Sequence, residues 1–371
     1  NGNLISKFDH CLTCMNCVAN CPAGANPVKV ITAARAELFA RSEDTDMAKT
    51  AFRMLAEKSS FGIFSGLMAV ATKVFSVLPA ADILPFVRGG VKRVLPKFSF
   101  SSLRDGYPKV IRPKGGKKPV MRVGYFTGCM ADRVYHDTGH AVIEVLRAAG
   151  AEVVISKDEV CCGAPSFFAG DRESATNAAL KNMEAFDARE LDYIVTSCAT
   201  CGSVLKEIYP DLLQGRGRAR RFSSKIIDFQ ELIADSLLDE LEFIEPEGSL
   251  KVTYHDPCHL LRGMNVKEAP REILKKLPGV EFVEMDGACK CCGGSGLFSL
   301  KYYDDALEIG RRKAQNIAAS GADVVVTACP SCRMQLSDVI NRYNGEAGQT
   351  TEVTDVTHTA ALIKSLLKAG G

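Results

Sequence analysis

The chain has 371 residues, of which 46% are hydrophobic and 24% charged, and a net charge of +2. That length supplies two or three domains with real cores, and the near-neutral balance excludes a strongly basic nucleic-acid binder. Fifteen cysteines stand out; a chain this long has no need of a disulfide scaffold, so CxxC pairs point to reduced, ligating thiols in an intracellular compartment.

Residues 1–38 carry Cys11, Cys14, Cys17 and Cys21, followed by Pro22 and a predicted helix in VKVITAARAEL. No stretch reads as a secretory signal. Residue 1 is Asn, which suggests a chain that is processed or lacks upstream sequence. Residues 39–118 have no cysteine and read as a helical connector. Its stretch 61–87 is apolar but divided by Pro79, so neither half is expected to span a membrane. Residues 88–118 follow with ten Lys/Arg and one acid. An apolar segment beside a basic one suits a peripheral contact with an anionic leaflet; helices packed on the rest of the chain or on a partner are the other reading.

From residue 119 the chain repeats itself. Cys129, Cys161, Cys198 and Cys201 correspond to Cys258, Cys291, Cys329 and Cys332, and the pairs Cys161–Cys162 and Cys291–Cys292 each precede a glycine. DYIVTSCATC resembles DVVVTACPSC, and KIIDFQELIADSL corresponds to EVTDVTHTAALIKSL with Asp228 set against Asp355. Predicted strands are 123–127, 152–156 and 193–197 in copy one, and 252–255, 281–285 and 323–327 in copy two. Helices are predicted around 137–149, 171–190, 266–277 and 303–320. Such alternation is the pattern of βαβ units and a parallel sheet. The expected organisation is 1–38, 39–118, 119–245 and 246–371. The cysteines follow the strands directly, and open α/β sheets bind ligands at the carboxyl ends of their strands.

The run C-x2-C-x2-C-x3-C-P is the spacing of bacterial ferredoxins, which wraps the backbone around one [4Fe–4S] cluster. A zinc knot is the alternative, but zinc sites divide their ligands into separated pairs. Cys21 either completes a single cluster or serves a second motif upstream. The repeated sets offer five thiolates each, soft donors suited to iron–sulfur centres. Zinc or buried free thiols are the bland readings, and Gly163 and Gly293 would allow close backbone approach. His255, Asp256 and His259 flank Cys258 and could deliver protons or orient the loop. Cys289 falls outside the sets. The chain has no Rossmann or Walker signature, so flavin or nucleotide is expected on another chain.

YFTGC129, EVC161C162G and SC198ATC201, repeated as HDPC258H, KC291C292GG and AC329PSC332, resemble the cysteine-rich CCG domain family. That family includes catalytic iron–sulfur subunits of heterodisulfide reductase and iron–sulfur subunits of glycolate oxidase, lactate-utilisation systems and anaerobic glycerol-3-phosphate dehydrogenase. The resemblance implies an α/β fold of two tandem Rossmann-like CCG domains after a ferredoxin-like segment and a helical connector. It implies noncubane [4Fe–4S] clusters on Cys129, Cys161, Cys162, Cys198 and Cys201, and on Cys258, Cys291, Cys292, Cys329 and Cys332. It also implies an oxidoreductase subunit that is cytoplasmic or peripheral on the cytoplasmic face. A flavoprotein partner would feed electrons to a quinone or other acceptor; a disulfide reductase acting at the CCG clusters is the alternative.

Overall fold

The computed structural model describes residues 7–41, 46–78, 87–88, 91–187, 190–215, 217–346 and 348–368. An antiparallel ribbon of β1 (Val87–Arg88) and β2 (Val91–Lys92) precedes two larger sheets. The first comprises β3 (Val110–Ile111), β4 (Met121–Phe126), β5 (Ala151–Ile155), β6 (Tyr193–Thr196) and β7 (Ile226–Asp228), ordered β3-β5-β4-β6-β7. Only β3 in this sheet runs antiparallel. The second comprises β8 (Leu250–Tyr254), β9 (Val280–Phe282), β10 (Val324–Val326) and β11 (Asp355–Thr357), ordered β11-β10-β8-β9 and parallel throughout.

The predicted strands and helices are present as the α/β reading requires. Val- and Ile-rich runs form strands buried on both faces, between helices such as His136–Ala148 and Tyr303–Ser320. Each sheet adds one parallel strand beyond those predicted, β7 and β11. Each first strand (β4 or β8) also has its successors on opposite sides, which opens a crevice at the carboxyl ends of β4/β6 and β8/β10.

Strand register aligns the copies residue by residue. Tyr125 pairs with Val195 and Tyr254 with Val326, so the next positions, Phe126 and His255, are equivalent. Val195 pairs with Ile227 and Val326 with Thr357. Asp228 therefore corresponds to His358, not to Asp355. Each caps the helix after its strand, Asp228 accepting from the Gln230 N–H and His358 from the Ala360 N–H.

One apolar cluster joins Val123, Tyr125 and Val153 to Val252, Tyr254 and Val326 through Phe229, Leu232 and Ile363. A second holds Cys161, Cys162, Cys201, Cys292, Cys329 and Cys332 with Phe126, Leu260 and Met264. Both sheets contribute to both clusters.

The connector is less simple than expected. Helix Lys58–Val77 runs unbroken and ends ahead of Pro79, and by length and composition its stretch Ser60–Val77, of mean hydropathy 1.5, could cross a membrane. Ile63, Leu67, Val70, Val74 and Val77 form an exposed stripe opposite buried Phe61 and Ala69. Residues 79–86 of the expected apolar stretch lie outside the described residues. The basic part beyond is not simply a charged surface. Arg93 and Arg104 are buried, Arg93 donating to the Ser299 carbonyl (2.6 Å) and Arg104 pairing with Asp132 (3.0 Å). Val110–Ile111 adds the edge strand to the first sheet.

Candidate metal centres

The ferredoxin-spaced run folds as a tight wrap. Thr13 and Met15, each between two cysteines, adopt φ of 52° and 58°, a left-handed conformation uncommon outside glycine, and the Thr13 N–H points at Cys11 Sγ (3.3 Å). Arg35, on helix Pro27–Arg41, gathers the carbonyls of Phe8 (2.7 Å), Asp9 (3.1 Å), Cys11 (2.7 Å) and Phe168 (3.0 Å). One guanidinium thus ties this segment to copy one. Cys17 is exposed; Cys11, Cys14 and Cys21 are half-buried.

The ten thiols of the two copies form one unbroken row of electrostatically interacting neighbours. It runs Cys129, Cys161, Cys162, Cys201, Cys198, then Cys329, Cys332, Cys292, Cys291 and Cys258. The order is palindromic, because each half visits equivalent positions in reverse. Interactions with neighbouring thiols pull Cys162 down to about 6 and hold Cys291 and Cys329 well below the usual thiol range. Cys329 also caps helix Pro330–Gly345, where the positive end of the helix favours a thiolate. Burial raises Cys14, and the nearby Cys291 thiol adds to that effect, so the first set lies within electrostatic reach of copy two.

Backbone geometry makes this approach possible. Gly163 (φ +84°) and Gly293 (φ +85°) share a left-handed conformation. A Cβ at Gly163 would meet Ala175 Cα at 3.3 Å, and one at Gly293 would meet the Ala306 carbonyl oxygen at 2.5 Å. Backbone N–H groups reach the sulfurs, from Gly293 to Cys291 (3.4 Å) and from Cys201 to Cys198 (3.5 Å).

The flanking polar residues have different surroundings. His259 is buried, with Nδ1 paired to Thr200 Oγ1 (3.2 Å) and Nε2 to the Thr13 carbonyl (3.2 Å), so it bridges all three cysteine-bearing segments. Burial lowers its pKa. Asp256 is held by a two-pronged Arg271 pair, 2.9 Å on each side, and Arg271 also grips Glu284 (2.7 Å). His255 is buried and its pKa is pulled down to about 3, chiefly by burial and then by Lys313; its Nδ1 has no hydrogen-bond partner among the described residues. Cys289 is exposed. Its carbonyl accepts from Arg262 (2.9 Å), which also donates to the Cys14 carbonyl (3.2 Å).

Residues that the sequence pattern did not single out complete the surroundings. Glu159, two positions before Cys161, is buried and pushed up to about 7 by burial. It accepts from the N–H groups of Thr127 (3.1 Å) and Gly128 (2.8 Å) and so holds the turn that presents Cys129. His358 donates through Nε2 to the Ser197 carbonyl (3.1 Å), beside Cys198. Their spacing to the cysteine pairs is a faint signal at best; Arg35 carries none.

The cysteine-rich (CCG) domain family matches residues 123–206 and 252–337. A fumarate reductase (CoM/CoB) subunit of Methanothermobacter marburgensis is 31% identical over 91% of this chain and 69% of its own length. A probable glycolate oxidase iron–sulfur subunit of Bacillus subtilis is 31% identical over 97% of this chain and 82% of its own. The chain belongs to the CCG-domain iron–sulfur proteins. An iron–sulfur protein of Methanocaldococcus jannaschii, 34% identical over 77% of this chain, is matched over about half (53%) of its length. As a CCG-domain protein the chain is an iron–sulfur redox subunit of an oxidoreductase family. Its residues fit that chemistry: the candidate donors are soft thiols, all but Cys17 buried or half-buried, with backbone N–H groups aimed at the sulfurs.

Proposed function

We propose that this CCG-domain protein is the electron-transfer subunit of a flavin-linked dehydrogenase complex, standing between a flavoprotein partner and a quinone or other acceptor. The unbroken row of ten thiols, with the ferredoxin-spaced set at its copy-two end, carries the reading. Cys11, Cys14, Cys17 and Cys21 would hold one [4Fe–4S] cluster. Cys129, Cys161, Cys162, Cys198 and Cys201 would hold a second, and Cys258, Cys291, Cys292, Cys329 and Cys332 a third. Five thiolates exceed the four that a cubane takes, which supports a noncubane form for the latter two. When bound, such clusters store and relay single electrons at potentials set by charge, hydrogen bonds to sulfur and exposure.

The chain's own residues account for direction. Exposed Cys17 and its half-buried neighbours make the first set accessible to a donor chain. Arg35 and Arg262 fasten that set to the two copies by hydrogen bonds to carbonyls. The inner thiols Cys162, Cys201, Cys329, Cys332 and Cys292 are buried and exclude water. The similarity to the probable glycolate oxidase subunit of B. subtilis supports a small 2-hydroxy acid as the partner's fuel.

Iron counted on anaerobically purified protein tests the reading. About twelve irons per chain, bleached by the partner flavoprotein with its substrate, is the expected result. About four irons would leave the two copies without clusters and overturn it. A disulfide reductase working at the two copies is the second reading, favoured by the fifth thiol in each. Stoichiometric thiol released from a supplied disulfide would establish it.

A further inference from the structure

The two copies are not equivalent where their thiols converge. At the end of the first strand, copy one places Phe126 where copy two places His255. Phe126 is fully buried and packs against Phe186, with ring centroids 6.1 Å apart, as an apolar residue should. His255 is 1% exposed, yet its Nδ1 has no hydrogen-bond partner among the described residues. Leaving a buried ring nitrogen unpaired costs about 1–3 kcal/mol, so a second group is expected to meet it.

Two thiols lie close to the ring. A ring nitrogen of His255 and the sulfurs of Cys292 and Cys332 all lie within 4.8 Å of one another, and all three side chains are buried. A nitrogen and two sulfurs in that arrangement can face one metal ion. A second difference between the copies lies beside it. Asn182 in copy one holds the loop before its cysteine pair, accepting from the Val160 N–H (2.9 Å) and donating to the Cys161 carbonyl (3.0 Å). In copy two the same task falls to buried Lys313, which donates to the carbonyls of Gly287 (2.5 Å) and Ala288 (3.2 Å). Copy two therefore places a buried ammonium near His255 where copy one has a neutral amide.

The geometry points to His255 as a nitrogen ligand to the iron–sulfur centre of copy two, joining Cys292 and Cys332, with no nitrogen ligand in copy one. The assignment rests on the cluster reading of the second cysteine set. A neutral nitrogen ligand present in one copy alone gives the two centres different ligand sets, and ligand charge and hydrogen bonding set cluster potential, so the two copies differ in redox poise.

The test is pulsed electron paramagnetic resonance on anaerobically purified full-length protein grown with 15N-histidine, with iron counted on the same sample. A strong coupling to a histidine nitrogen is expected, lost in His255→Asn and kept in His358→Asn. His255→Cys should keep the iron while losing the coupling, and the midpoint potential of one centre should fall in that variant. Full iron without histidine coupling in the unaltered protein would overturn the assignment and leave the cluster reading intact. So would a coupling that survives in His255→Cys. About eight or fewer irons per chain, with copy two bare, would sink both together.

Discussion

Cys198 interacts with Cys329, so the leading cysteine of each CxxC pair meets its own counterpart across the two copies. Two glycines permit it. A Cβ at Gly202 would collide with Met264 Sδ, and one at Gly263 with Ser203 Oγ. Gly202→Val should push the copies apart and lower stability by about 1–3 kcal/mol. Thermal unfolding checks the cost. Oxidative cross-linking of Cys198 to Cys329 in iron-free protein, efficient before the change and poor after it, checks the geometry.

Arg35 makes its bonds through three different nitrogens. Arg35→Ala leaves the carbonyls of Phe8, Cys11 and Phe168 without their charged donor, a loss of about 1.5–3 kcal/mol for each strong bond. The expected outcome is selective: about four irons lost, faster proteolysis before residue 41, and both sheets intact by circular dichroism. Arg35→Lys should not rescue it, because an ammonium has no fork.

Asp228 is buried and pushed up to about 7, chiefly by burial. In the unfolded chain it ionises near about 3.9. Between those values the folded state holds the extra proton, so Asp228 lowers stability progressively as pH rises from about 4 to 7. Asp228→Asn keeps an oxygen for the Gln230 N–H and removes the titration. Its stability relative to the unaltered protein should rise between about pH 4.5 and pH 8, by on the order of 3 kcal/mol, read from unfolding midpoints at the two values.

His358 works in the opposite sense. Burial, and then Arg333, pull it down to about 4. Its Nδ1 accepts from the Ala360 N–H (3.0 Å), which fixes the neutral tautomer with Nε2–H donating to Ser197. Below about 6.5 the unfolded chain takes up a proton that the folded chain refuses, so stability falls as pH drops toward about 4. His358→Asn retains a cap and should flatten that acid limb by on the order of 2–3 kcal/mol, measured by unfolding between about pH 7 and pH 4.5.

Much of the architecture is legible in the sequence, for physical reasons. Runs such as EVVIS and DVVVT are β-branched and uncharged at their centres, so they had to be buried strands, and the cysteines stand shortly behind them. β7 and β11 escaped because three residues each leave no period to detect. Setting Asp228 against Asp355 matched identical letters; strand register shows that the helix cap, not the letter, is the equivalent feature. The convergence of five cysteines per copy follows from strand order, but the meeting of Cys198 with Cys329 depends on how two sheets pack. Pairwise packing has no trace in spacing. The pairing of Arg93 with Ser299 and of Arg104 with Asp132 was equally hidden, since the composition of 88–118 shows only an excess of charge.

A row of touching thiols is also a hazard during biogenesis. Until metal is inserted, every neighbour in it is a candidate for oxidation, and the half-buried Cys129, Cys198, Cys258 and Cys291 are the most accessible. A disulfide between Cys198 and Cys329 would staple the two copies together and withdraw one donor from each site at once. On the cluster reading, iron loading has to precede exposure to oxidants, so iron counts are meaningful only on protein prepared without air.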